Sequence, residues 1–110
     1  YSNSLKQLIL DVSEQTLTLY GAVSEQAVTE MAEGAIKKYK SDYSVAVSGI
    51  AGPDGGTPDK PVGTIWIAVA NKTKTITKKF KFGNKRTQNI ERSGISGLTM
   101  LFNLLKEDHS

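Results

Sequence analysis

From Gly49 to Thr64 the chain reads Gly-Ile-Ala-Gly-Pro-Asp-Gly-Gly-Thr-Pro-Asp-Lys-Pro-Val-Gly-Thr. This segment is too long for a hairpin turn and too rich in glycine to be plain scaffold. Its backbone N–H groups are placed to face a ligand, and glycine lets a ligand come close. Gly49, Ile50, Ala51, Gly52, Gly55 and Gly56 could hold a phosphate or an oxyanion through main-chain donors. A side chain at Gly49 or Gly52 would stand between donors and ligand, or demand a forbidden φ. Thr57, Lys60 and Thr64 add side-chain donors, with Lys60 the charged group nearest a bound phosphate. Arg86 and Arg92, near the start of the last helix, are further phosphate candidates. No Lys-Ser/Thr pair follows the glycines, so this is not a Walker loop, and its spacing is not that of a dinucleotide fingerprint. The competing reading is an Ω-type connection with structural glycines. His109 lies in a polar tail, and Asp54 and Asp59 lack clustered partners, so neither a metal nor a cofactor is expected.

Two apolar runs must position this loop. Tyr43–Ser48 and Thr64–Ala70 read as strands buried on both faces and central in one sheet. A loop at a strand end is where layered α/β proteins place their sites. Thr73–Phe82 reads as a third strand, joined through a tight Asn71-Lys72 turn. Ser2–Leu10 suggests a short helix. Ser13 caps another through Tyr20, which Gly21 stops. Ser24 caps a longer one, whose Ala27, Val28, Met31, Ala32, Ala35, Ile36 and Tyr39 recur at helical spacing. The last helix runs from Lys85 or Arg86 to Lys106. Its Ile90, Gly94, Gly97, Leu98, Leu101 and Leu105 are expected to face the sheet, the two glycines marking close approach.

A chain of 110 residues is at most one domain, here residues 1–110, with a modest core. It has no cysteine, which excludes disulfides and thiolate metal sites. No apolar run approaches the roughly 20 residues that span a bilayer. The net charge of +3 is concentrated between Lys72 and Arg92. That basic stretch fits an anionic partner, or lysines protecting an edge strand from edge-to-edge pairing. Phe80 and Phe82 alternate with Lys79 and Lys81, as on a stacking platform, but also as on any half-buried strand.

The motifs in order are Tyr1-Ser2-Asn3-Ser4-Leu5-Lys6, Gly21-Ala22-Val23-Ser24, Met31-Ala32-Glu33-Gly34, Gly49 to Gly56, and Lys60 to Thr64. Together they resemble the C-terminal domain of the CinA (competence/damage-inducible) proteins over nearly the whole chain. Free-standing members of that family are nicotinamide mononucleotide deamidases. The resemblance implies a three-layer α/β/α fold with a mixed sheet, a cytoplasmic setting, a small nucleotide substrate and a homodimer or other homo-oligomer. It implies that Tyr1 and Lys6 stand beside a serine nucleophile, and that Gly49, Ile50, Ala51, Gly52, Gly55, Gly56, Thr57, Lys60 and Arg86 line the substrate pocket. That serine belongs to a segment resembling Ala-Glu-Ser-Cys-Thr-Gly-Gly, which this sequence lacks, so the chain reads as the family's domain truncated at its N-terminus. Whether it is an enzyme is left open. The alternatives are a non-catalytic nucleotide-binding or assembly module and, third, a nucleic-acid-binding protein.

Overall fold

The structure, a computed structural model, describes residues 12–109. The expected helix Ser2–Leu10, with Tyr1 and Lys6, lies outside the described residues. Helix α1 spans Glu14–Tyr20. The Ser13 hydroxyl oxygen accepts from the Thr16 N–H at its start, and Gly21, at φ +80°, ends it. Helix α2 spans Glu25–Tyr39 and is capped the same way, Ser24 Oγ accepting from the Ala27 N–H. Glu25 in its first turn and Lys37 and Lys38 in its last complement the helix dipole. The helices are tied at Glu30, which accepts from the Ser13 N–H at 2.8 Å and from the Thr16 hydroxyl.

Strands β1 (Ser44–Gly49), β2 (Thr64–Ala70) and β3 (Thr75–Lys81) form one sheet in the order β1-β2-β3, both pairs antiparallel. Helix α2 covers one face, packing Val28 and Ala32 on Ala46, Ala68 and Ala70. Helix α3 (Arg86–Asp108) lies across β1 and β2 on the other face. A Cβ built on Gly97 would sit 3.2 Å from Val45 Cγ1 and 3.9 Å from Ile67 Cγ2, so the helix backbone is close to the strands there. The result is the expected α/β/α layering. The parallel pair that a mixed sheet requires is not among the described residues.

Three expectations need correction. Among the described residues only β2 is central, with Ile65, Ile67, Ala68, Val69 and Ala70 buried. Strand β1 is an edge of the sheet that the described residues form, and it alternates. Ala46 is buried, and Ser44 and Ser48 donate to the Ala32 and Ala22 carbonyls at 2.7 and 2.6 Å. On the opposite face Val45 and Val47 remain 39% and 40% exposed. The turn is wider than two residues. Ala70 pairs with Thr75, the Asn71 N–H donates to the Lys74 carbonyl, and Asn71 Oδ1 accepts from the N–H groups of Thr73 and Lys74. This Asx turn does the work that a glycine would do in a tighter one. Finally, α3 buries Asn89, Ser93, Gly97 and Leu104, while Ile90, Gly94 and Leu98 face outward. Gly97 makes the close approach, whereas a Cβ at Gly94 meets nothing within 4 Å.

Candidate functional site

The glycine loop leaves the end of β1 and returns to β2 along a path fixed by the sheet. The Ile50 N–H donates to the Thr64 carbonyl, and the Gly63 N–H to the Ile50 carbonyl, at 3.0 and 2.7 Å. Ile50 therefore extends the β1–β2 pairing, and its N–H is not a free donor. Gly63, at φ +92°, is a structural glycine, since a Cβ there would strike the carbonyls of Phe82 and Gly83. Thr64 is buried and its hydroxyl donates to the Pro61 carbonyl at 2.6 Å, so it closes the loop. A small inner turn runs from Thr57 to Lys60, where the Thr57 N–H donates to the Lys60 carbonyl and Thr57 Oγ1 accepts from the Lys60 N–H.

The glycines have reasons that the sequence did not show. A Cβ at Gly49 would lie 2.9 Å from the Thr64 carbonyl oxygen and against the Ile65 side chain, so Gly49 is required by packing on β2. Gly52 combines φ +95° with Val62 Cγ1 2.6 Å from any added Cβ, and it is buried. Gly55, at φ +97°, and Gly56 are exposed. Among the described residues no protein group accepts from the N–H of either. These two donors, with the exposed Thr57, form the open part of the loop.

Helix α3 holds the loop from below. Asn89 is fully buried, and its Nδ2 donates to the Ala51 carbonyl at 2.9 Å and to the Gly83 carbonyl at 3.0 Å. Arg86 Nη1 donates to the Gly52 carbonyl at 3.2 Å. The first turns of α3 thus tie the loop to the end of β3. Sequence reading nominated Arg86 and overlooked Asn89, because a single asparagine in a helix carries no signal until its neighbours are known. Lys60 turns away: its Nζ donates to the Tyr20 carbonyl at the end of α1, 2.5 Å away. Of the residues expected at a site, the fold brings together Gly49, Ile50, Ala51, Gly52, Gly55, Gly56, Thr57 and Arg86. Lys60 is anchored on α1, and Tyr1 and Lys6 lie outside the described residues. Among those residues, no three His, Asp or Glu side chains converge as a metal site would need, and no helix is long and apolar enough to cross a membrane.

A three-layer α/β domain with a glycine-rich loop clamped at the end of β1 is the class that this geometry defines. A family model, the CinA C-terminal domain, matches residues 1–105, and the chain belongs to that family. A CinA-like protein of Cytophaga hutchinsonii is 47% identical over 107 residues, covering 97% of this chain and 26% of that protein. A nicotinamide-nucleotide amidohydrolase, PncC, of Enterobacter agglomerans is 46% identical over 108 residues, covering 96% of this chain and 66% of the relative. Among solved structures, the competence/damage inducible protein CihA from Agrobacterium tumefaciens superposes with a TM-score of 0.90 at 37% identity. That match covers 94% of this chain and 64% of that one. The CinA superfamily protein from Enterobacter cloacae gives 0.88 at 38% identity, covering 96% and 62%. The chain is thus a CinA-like domain related to the nicotinamide-nucleotide amidohydrolases, spanning 26% of the longer relative and 66% of the shorter.

Proposed function

We propose that this chain is the nucleotide-binding part of a cytoplasmic nicotinamide-nucleotide amidase of the CinA type. The observation that carries the reading is the clamped loop. Its path is fixed by β2 and by Asn89 and Arg86, while the N–H groups of Gly55 and Gly56 are left open. Donors held in place before the ligand arrives cost no reorganisation when an anion binds. Relatives named for hydrolysis of a nicotinamide nucleotide supply the ligand class.

The reaction follows from the chemistry of an amide. A serine oxygen attacks the carboxamide carbon of nicotinamide mononucleotide. Lys6 takes the serine proton, and Tyr1 relays it to the departing nitrogen. The C–N bond breaks, ammonia leaves, and water hydrolyses the resulting acyl-enzyme to the acid. The serine lies in the segment that the resemblance places outside these 110 residues, so binding is the property to test on this chain. Calorimetric titration with nicotinamide mononucleotide should show saturable binding. In the 15N-labelled chain the Gly55 and Gly56 amide signals should shift with it. Lys60→Ala should bind as the parent does, because that ammonium is engaged at the Tyr20 carbonyl. No heat of binding, or shifts confined to the β3 edge, would refute the reading.

A further inference from the structure

The lysines and phenylalanines around β3 lie away from the glycine loop's open tip. Cross-strand pairing sets Lys78 opposite Ile67 and Phe80 opposite Ile65, and Ile67 lies against Gly97 of α3. Ile76, Lys78 and Phe80 therefore share the face of the sheet on which α3 packs. Helix α3 rests on β1 and β2 and does not reach β3, and no other described helix or strand covers β3 from that side. Phe80 and Phe82 are half-buried, with ring centroids 5.4 Å apart and planes 34° from parallel. Lys78 Nζ lies 5.1 Å from the centre of the Phe80 ring. Charge is as one-sided as the packing. No Asp or Glu occurs between Asp59 and Glu91. Lys72 and Lys74 are ion-paired, with Asp42 and Glu107. Lys78, Lys79, Lys81 and Lys85 are exposed and have no carboxylate partner among the described residues. Glu25 and Glu33 meet β3 at Thr77 and Thr75, on the opposite face. Edge protection accounts for the lysines but not for two adjoining rings on an uncovered face.

We propose that this face of β3 binds single-stranded nucleic acid, with bases stacking on Phe80 and Phe82 and phosphates meeting Lys78, Lys81 and Lys85. Every base has a π-face, so such a surface takes its affinity from stacking and charge and reads little sequence. A cation–π contact at an exposed site is weak. A base can therefore take the place of the Lys78 ammonium on the Phe80 ring, and the ammonium then turns to the adjoining phosphate. The charge argues for a polyanion over a second copy of the chain. Another β3 would bring its own unpaired lysines against these, and like charges set face to face repel.

Fluorescence anisotropy of a labelled oligothymidylate, titrated with the full chain, tests this. Binding should saturate, and its affinity should fall roughly twentyfold from 50 to 200 mM salt if three phosphates are neutralised. Phe80→Leu keeps an apolar side chain but removes the ring, and should weaken binding about tenfold at an unchanged salt slope. Phe82→Leu is a second ringless variant, and Lys78→Gln, at an exposed position, should flatten the slope instead. A duplex of the same length should bind more weakly than the single strand, because its bases are not free to stack on the rings. In the 15N-labelled chain the oligonucleotide should shift the amides of residues 76–82 and spare Gly55 and Gly56. No binding at the lower salt, a duplex bound as tightly as the single strand, or parent-like binding by both ringless variants would overturn the proposal. Binding to anionic phospholipid vesicles with none to the oligonucleotide would make the face a membrane contact and overturn it equally.

Discussion

Asn89 and the loop glycines show how much a single position can carry here. Gly52 is held at φ +95°, with Val62 against the place where a side chain would go. Gly52→Ala should therefore destabilise the fold by about 1–2 kcal/mol from the backbone alone, with a further cost from Val62. Urea unfolding of the two proteins measures this, and an unchanged midpoint would show that the loop relaxes freely. The same constraint explains why a bulky residue at Gly52 is a poor probe of ligand binding. It would disturb the Val62 packing before it reached any ligand.

Among the elements, α3 holds the clearest contrasts. Its two glycines looked alike in the sequence, yet Gly97 lies on Val45 and Gly94 on open space. Gly94→Ala should stabilise the protein by up to about 1 kcal/mol through helix propensity. Gly97→Leu should cost about 1–3 kcal/mol as the helix is forced off the sheet. Thermal melts of the pair read this directly, and equal shifts would contradict the packing. At its far end α3 is latched to the start of β1 and to the β2–β3 turn. The Tyr43 hydroxyl donates to Asp108 Oδ2 at 2.7 Å, and Asn71 Nδ2 to the same oxygen at 2.9 Å. The Tyr43 bond is the main reason that the Asp108 carboxyl is held below its ordinary 3.8, Asn71 adding to it. The same bond is the main cause raising the Tyr43 phenol above 10.0. The depressed carboxyl contributes stability above its unfolded pKa and loses it as pH falls through the folded one. The raised phenol contributes below pH 10 and loses it as pH rises through its folded pKa. Tyr43→Phe should therefore lower the melting temperature slightly between about pH 4 and 10, and converge with the parent outside that window. A pH-independent difference would place the effect in packing instead.

Over the whole molecule, charge and apolar surface are separated. The β3 edge carries Lys78, Lys79 and Lys81, with Lys78 over the Phe80 ring at 5.1 Å and Lys79 over Trp66 at 6.0 Å. Lysines along the outer strand of the sheet that the described residues form fit protection against edge-to-edge pairing. The other side is apolar. Ile95, Leu98 and Phe102 on the outer face of α3 are 66%, 62% and 64% exposed, and the Val45–Val47 flank of β1 lies beside that helix. A surface of this kind marks an interface. We propose self-association through it. Light scattering should report a species larger than the monomer, and Leu98→Glu with Phe102→Glu should return it to one. A monomeric parent at high concentration would refute the interface.

What the sequence determined by itself was local. Ser13 and Ser24 announced two helix starts, Gly21 an end, and Thr64–Ala70 a buried strand, because caps and short apolar runs act on near neighbours along the chain. The loop between β1 and β2 was legible for the same reason, its Gly and Pro content being a statement about backbone freedom. Tertiary structure decided the rest. The register of β1 on β2 left Val45 and Val47 partly exposed among the described residues. The rotation of α3 turned Asn89, Ser93 and Gly97 inward in place of Ile90 and Leu98. That helix has two apolar stripes, and periodicity cannot say which one meets a sheet whose position is set from elsewhere. Asn89 became part of the site only when the Ala51 and Gly83 carbonyls, 38 and 6 positions away in the chain, were folded onto its amide. Burial then left its remaining oxygen without a partner among the described residues, a condition that no single residue can express until the fold surrounds it.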